Sequence, residues 1–132
     1  MRRILAFALF SALTASAQDA AMLARGEKIF VEKCMLCHQI AGAGVPPVYP
    51  PLAGSDWLAG DRVRTIKVLC EGLSGPIEVL GQKYANVMPA QVLDDAQVAE
   101  VLTYVGSSWG NSLKPFTAAE VAAAREKSQF KT

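Results

Sequence analysis

In the stretch Cys34-Met35-Leu36-Cys37-His38, two thiols stand one helical turn apart and the chain's single histidine follows immediately. No other feature restricts the fold as tightly. Thiols at this separation can add across the two vinyl groups on one side of a porphyrin, and the adjacent imidazole is then directed at the iron. A chain built this way has to fold around a rigid, planar, largely apolar group. Cys34 and Cys37 become covalent attachment points for one haem c, and His38 becomes its proximal axial ligand.

Other uses of the same residues fit less well. A structural zinc site takes about four protein ligands. Cys34, Cys37 and His38 supply three, with no second histidine and only Cys70 as a further cysteine. A thioredoxin-like redox pair belongs at the end of a strand in a βαβ unit, whereas the residues before Cys34 read as helix and no parallel-strand pattern follows. A structural disulfide would leave His38 without a purpose.

The N-terminus reads as an export signal. Met1-Arg2-Arg3 forms a charged start, residues 4–13 an apolar stretch, and Ala15-Ser16-Ala17 a small-residue cleavage site. About ten apolar residues fall short of the ~20 that span a bilayer, so the segment is expected to be removed rather than to anchor the chain. The arginines lack the fuller context of a twin-arginine signal, and no cysteine stands at the cleavage point to carry a lipid. The expected location is the periplasm, with no stable membrane anchor.

Cleavage after Ala17 leaves 115 of the 132 residues, enough for one small domain spanning 18–132. It also leaves 11 Lys and Arg against 12 Asp and Glu. That balance argues against nucleic acid as a partner and provides no strong steering field. Docking would then rest on an apolar patch around an exposed haem edge, with charges at its rim. The 52% hydrophobic content is inflated by the signal and by an alanine-rich C-terminus. A core this modest needs the cofactor at its centre, so the apoprotein should be poorly folded.

Along the chain, residues 19–37 read as a helix with Met22, Ile29, Phe30 and Met35 among its apolar positions. Gly26 inside it costs up to ~1 kcal/mol against alanine, which close approach of another helix would explain. The breaker-rich stretch from Gly42 to Pro51 must be a fixed loop. Ser55 or Asp56 caps a second helix to about Glu71, stopped by Gly72. Cys70 fits there as a small buried residue. Residues 73–87, with Gly75-Pro76 and Gly81, suggest a long loop or a short irregular hairpin. Asp94 or Asp95 opens a third helix to about Val105, whose Val98, Val101, Leu102 and Val105 make one core face. Thr117 to Glu120 forms a capping box for a last helix to about Ser128, whose alanine face would pack lightly as a peripheral addition.

Three segments make the chain resemble a class I cytochrome c of the bacterial periplasmic monohaem type, over residues of about 22–107, with 108–132 as an extension. The resemblance implies an all-α cytochrome c fold, three core helices around one covalently bound haem plus the peripheral C-terminal helix. The first segment runs from Gly26 through Phe30 to His38. In that family the glycine and aromatic of this helix cross the C-terminal helix closely, so Gly26 and Phe30 should meet Val101 and Tyr104. The second is Pro50-Pro51-Leu52. A proline carbonyl in the family's loop accepts the Nδ1 hydrogen of the proximal histidine, which assigns that bond to Pro50, with Pro51 next, and packs Leu52 on the haem. The plainer alternative is that these prolines only stiffen a loop. The third is Tyr84-Ala85-Asn86-Val87-Met88-Pro89, similar to the loop that delivers the distal methionine. Met1, Met22 and Met35 are poorly placed for that role, although a lone methionine is more often core filler. The stretch from Gly75 to Met88 departs from the mitochondrial pattern and looks more like small modules serving periplasmic dehydrogenases and reductases.

Iron held by His38 and Met88 would have no open position, which implies an electron carrier and no catalytic residues. Asp56, Asp61 and Glu78 read as solvated charges, and Trp57 and Tyr84 as core or pocket wall. Partners would be periplasmic redox proteins, whether dehydrogenase, reductase or oxidase, met by a monomer or a docked subunit. The rival readings are an open-site haem enzyme or gas sensor, if Met88 does not ligate, and a non-haem thiol oxidoreductase.

Overall fold

A helix crossing organises the molecule. The computed structural model describes residues 4–127, with side chains from Ala17 onward. Helix α1 (Ile4–Lys33) crosses α5 (Asp95–Gly106) at Gly26, where an added Cβ would lie 2.2 Å from the Glu100 carbonyl oxygen and 2.8 Å from Tyr104 Cβ. The glycine is therefore what lets the two backbones meet. Phe30, 2% exposed, stacks 5.8 Å from the Tyr104 ring and 4.9 Å from Trp109. Tyr104 is thus where the sequence put it. The backbone nearest Gly26 is that of Glu100 rather than Val101, which turns into the cavity described below. Arg25 Nε, 2.7 Å from Glu100 Oε1, flanks the crossing.

The first helix differs from its expected limits at both ends. It is continuous through the stretch read as a signal, of which Met1, Arg2 and Arg3 lie outside the described residues. At the other end it kinks at Cys34 (φ −117°), and a single turn, α2 (Met35–His38), carries the rest of the motif. The ladder survives the kink, since Cys34 N–H donates to Phe30 and His38 N–H to Cys34, both at 2.9 Å.

The helix expected over residues 55–71 is two helices, α3 (Asp56–Gly60) and α4 (Arg62–Glu71). Asp61 is extended (φ −150°, ψ 112°), and its carboxylate accepts from Arg64 N–H at 3.0 Å. An aspartate at this point ends one helix and caps the next, a signal the apolar periodicity masks. Ser55 caps α3 by accepting from Leu58 N–H at 3.1 Å. The following segment contains a two-stranded hairpin, β1 (Ile77–Val79) and β2 (Gln82–Tyr84), with Ile77 opposite Tyr84 and Val79 opposite Gln82. Leu80 and Gly81 both have positive φ, as a tight two-residue turn requires.

The C-terminal helix α6 (Ala118–Glu126) opens on the Thr117–Glu120 capping box. Ser128, its expected end, lies outside the described residues. No α6 residue lines the cavity, so the helix is peripheral to that site, yet it packs more firmly than its alanines suggested. Phe116, Val121 and Ala124 are buried against α5 and α4, and Arg62 forks onto Glu120 with two 3.0 Å bonds. The sequence undervalued it because one fully buried valine and an arginine from another helix do the holding.

Candidate functional site

Between α5 and the loops lies an apolar cavity. Cys34 and His38 line it from the first helices, and Pro50, Pro51 and Leu52 from the loop after them. Trp57 and Leu58 of α3, Val68 and Leu69 of α4, Ile77 and Val79 of the hairpin, and Met88 enclose it further. Val101, Leu102 and Val105 of α5 form its floor. A second cavity adjoins it, sharing His38, Pro50, Leu73, Ile77 and Met88, and adding Cys37, Tyr84 and Val87. The six residues singled out in the sequence, Cys34, Cys37, His38, Pro50, Leu52 and Met88, all line this joined space.

His38 is 8% exposed, and its Nδ1–H donates to the Pro50 carbonyl at 2.9 Å. One ring nitrogen is thereby committed to a proton, which leaves Nε2 as the basic nitrogen. Burial pushes the imidazole below its ordinary titration range, opposed by the Pro50 bond. The carbonyl is presented by a tightly wound loop. Gly44 N–H donates to the His38 carbonyl at 2.8 Å, Val45 pairs with Tyr49, and Leu52 N–H closes the loop on the Gly42 carbonyl at 2.8 Å. Gly44 (φ +65°) has no room for a side chain, because a Cβ would meet the Tyr49 oxygen at 2.6 Å and the Pro51 nitrogen at 2.7 Å.

Met88 is held from α4. After Gly72 ends that helix, Leu73 and Met88 exchange both backbone hydrogen bonds at 2.9 Å, and Gln91 N–H donates to Leu69 at 2.8 Å. Sequence reasoning took Gly72 as a helix stop and missed this clamp. The signal available was a glycine following α4, but its partner is sixteen residues away.

Cys34, Cys37 and Cys70 form no disulfide with one another. Burial, with Cys37 beside it, pushes the Cys34 thiol up to about 11, so it stays protonated near neutral pH and is a poor choice for thiolate redox chemistry. Cys70 is half-buried beside the core, and burial raises its thiol as well. Trp57 is a cavity wall, with the Arg64 guanidinium stacked 3.9 Å from its ring. Tyr84, 4% exposed, is a wall of the adjoining space. Among the described residues no group of three or more His, Cys, Asp or Glu could hold a metal ion on its own.

An apolar group suits this space: the lining is almost entirely hydrocarbon, and its buried imidazole is oriented by a backbone carbonyl. Comparison with known proteins agrees. The cytochrome c family model matches residues 23–109. Two cytochromes c-552 of Thermus thermophilus are similar. One is 40% identical over 96% of this chain and 87% of its own length, the other 44% identical over 79% and 86%. The gluconate 2-dehydrogenase cytochrome c subunit of Pantoea cypripedii is 34% identical over 76% of this chain, which spans only 24% of that subunit. The chain belongs to the cytochrome c family, as a class I c-type cytochrome with the mostly helical fold described above. It carries covalently bound haem c and is an electron-transfer haem protein.

Proposed function

We propose that this protein is a closed-site electron carrier, with His38 as proximal and Met88 as distal axial ligand, and Cys34 and Cys37 as the thioether attachments. The observation that carries this reading is that His38 and Met88 line the same cavity, each fixed by backbone: His38 through Pro50, Met88 through Leu73. When bound, haem supplies a one-electron couple, biased toward the reduced form by a thioether ligand. Pro50 holds the His38 ring orientation and, by accepting its Nδ1 proton, strengthens Nε2 as a donor. Leu52 and the α5 valines exclude water from the buried face. With both axial positions taken by His38 and Met88 the iron would have no open position for a substrate, which supports a carrier rather than an enzyme.

Exposed apolar side chains at the rim support a docking role. Val48 and Val87, 44% and 65% exposed, border the space that Cys37 and Met88 line. Partners are periplasmic redox proteins, a dehydrogenase or reductase on one side and an oxidase on the other, met by a monomer or a docked subunit. Similarity to cytochrome subunits of a gluconate dehydrogenase and of a cbb3-type oxidase from Azospirillum, 32% identical over 74% of this chain, supports that range. Residues 1–17 would be the removed export signal. Among the described residues no helix is long and apolar enough to cross a membrane.

Mixing reduced holoprotein with carbon monoxide tests the closed site. The spectrum should stay that of the unliganded protein over minutes. Immediate formation of a carbonyl adduct would favour an open-site enzyme or gas sensor instead.

A further inference from the structure

The segment following α5 touches the His38 loop at both ends of its closing hydrogen bond. Trp109 covers Gly42, where an added Cβ would lie 2.5 Å from the indole Cε3. Two residues on, Asn111 Nδ2 donates one hydrogen to the Leu52 carbonyl and the other to the Val105 carbonyl, both at 2.9 Å. Gly42 and Leu52 are the pair joined by the 2.8 Å bond that closes the loop. The reach is set by backbone conformation. Trp109 (φ +52°) and Gly110 (φ +84°) are both left-handed, which turns the chain back over the loop. Trp109 is held in that unfavourable conformation by Phe30 and Tyr104, whose rings lie 4.9 and 5.7 Å away.

We propose that Asn111 is a positioning residue for His38: by tying the Leu52 carbonyl to the end of α5, it fixes where Pro50 presents its oxygen to Nδ1. This rests on the axial role of His38 given above. Transmission is short, because only Pro51 separates Leu52 from Pro50 and its ring locks the φ between them. With that torsion removed, fewer rotations are left to absorb a shift at Leu52 before it reaches the Pro50 carbonyl. Both hydrogens of the Asn111 amide are used, one on each carbonyl, so the side chain bridges the loop and the end of α5. Asn111 lies outside the matched cytochrome domain, which ends at 109, so the C-terminal extension contributes a brace to the site without lining it.

The test compares Asn111→Ala and Arg125→Ala holoproteins with the parent. Arg125 pins α6 to Asp95 at 2.6 Å and to the Leu93 carbonyl at 2.7 Å, and its hydrogen bonds do not involve the loop. Solvent exchange of the His38 Nδ1 proton, followed by NMR in the reduced protein, should accelerate at least tenfold in Asn111→Ala and stay unchanged in Arg125→Ala. Asn111→Ser, which cannot reach both carbonyls, should give an intermediate rate and serves if the alanine variant yields no holoprotein. Parent-like exchange in the Asn111 variants, or equal acceleration in Arg125→Ala, would overturn the proposal. Failure of the axial reading is separately visible, since the oxidised parent would then lack iron-shifted His38 ring resonances.

Discussion

Gly72 leaves no space for a side chain against the Met88 carbonyl: a Cβ there would stand 2.8 Å from that oxygen, and φ is +80°. The helix that ends at Gly72 and the strand-like contact that holds Met88 are therefore one structural unit. Gly72→Ala combines a left-handed alanine with a backbone clash and should lower stability by about 1–3 kcal/mol. Because the clash falls on Met88, thermal unfolding should shift together with a weakened far-red band in the oxidised holoprotein.

Gly26→Ala provides the contrast. Its Cβ would strike the Glu100 carbonyl at 2.2 Å, prising α1 from α5, against a helix-propensity gain of no more than ~1 kcal/mol. Overpacking of this kind should win by about 1–3 kcal/mol in denaturant titrations. The crossing involves no carbonyl of the His38 loop and no part of the Leu73–Met88 clamp, so the far-red band should be retained.

Acid should loosen α6 through Glu120. Its carboxyl is held below the ordinary 4.5 chiefly by its hydrogen bond to Arg62, against the opposing effect of burial. A lowered folded value means the pair's stabilisation is present above the unfolded-state value and is lost as pH falls through the folded one. Both side chains are over a third exposed or close to it, so the contribution should not exceed ~1 kcal/mol. Glu120→Gln should remove it at neutral pH and flatten that part of the stability curve below about pH 4.5, as read by thermal melts across pH.

Without haem the fold should loosen. A chain with Cys34 and Cys37 both changed to serine keeps the apolar lining but has no thioethers with which to retain its occupant. Apolar side chains from α4, α5 and the loops would then face water instead of a packed neighbour, which costs about 25 cal/mol per Å² left exposed. Circular dichroism should show helix without a cooperative thermal transition. A sharp melt like that of the holoprotein would show that the helices hold themselves together.

Much of this was legible in the sequence because the signals are local. The capping box at Thr117 and the aspartates at 94 and 95 marked helix starts correctly, and Gly26 flagged a close crossing. The attachment motif, the prolines and Met88 directed attention to residues that line one space. What escaped depends on partners distant in the chain. Asp61 dividing two helices could have been read as a cap, but Asn111 reaching Leu52 across 59 residues leaves no local trace. The firm seating of α6 likewise depends on Arg62, 58 residues before Glu120.

The far-red absorption band of the oxidised holoprotein, compared between the parent and Met88→Ala, bears most directly on the closed His38–Met88 site. The parent should show the band that methionine ligation produces, and the variant should lose it and turn high-spin or take up added ligands. If the band persists in Met88→Ala, Met88 only fills the cavity and the distal assignment is wrong.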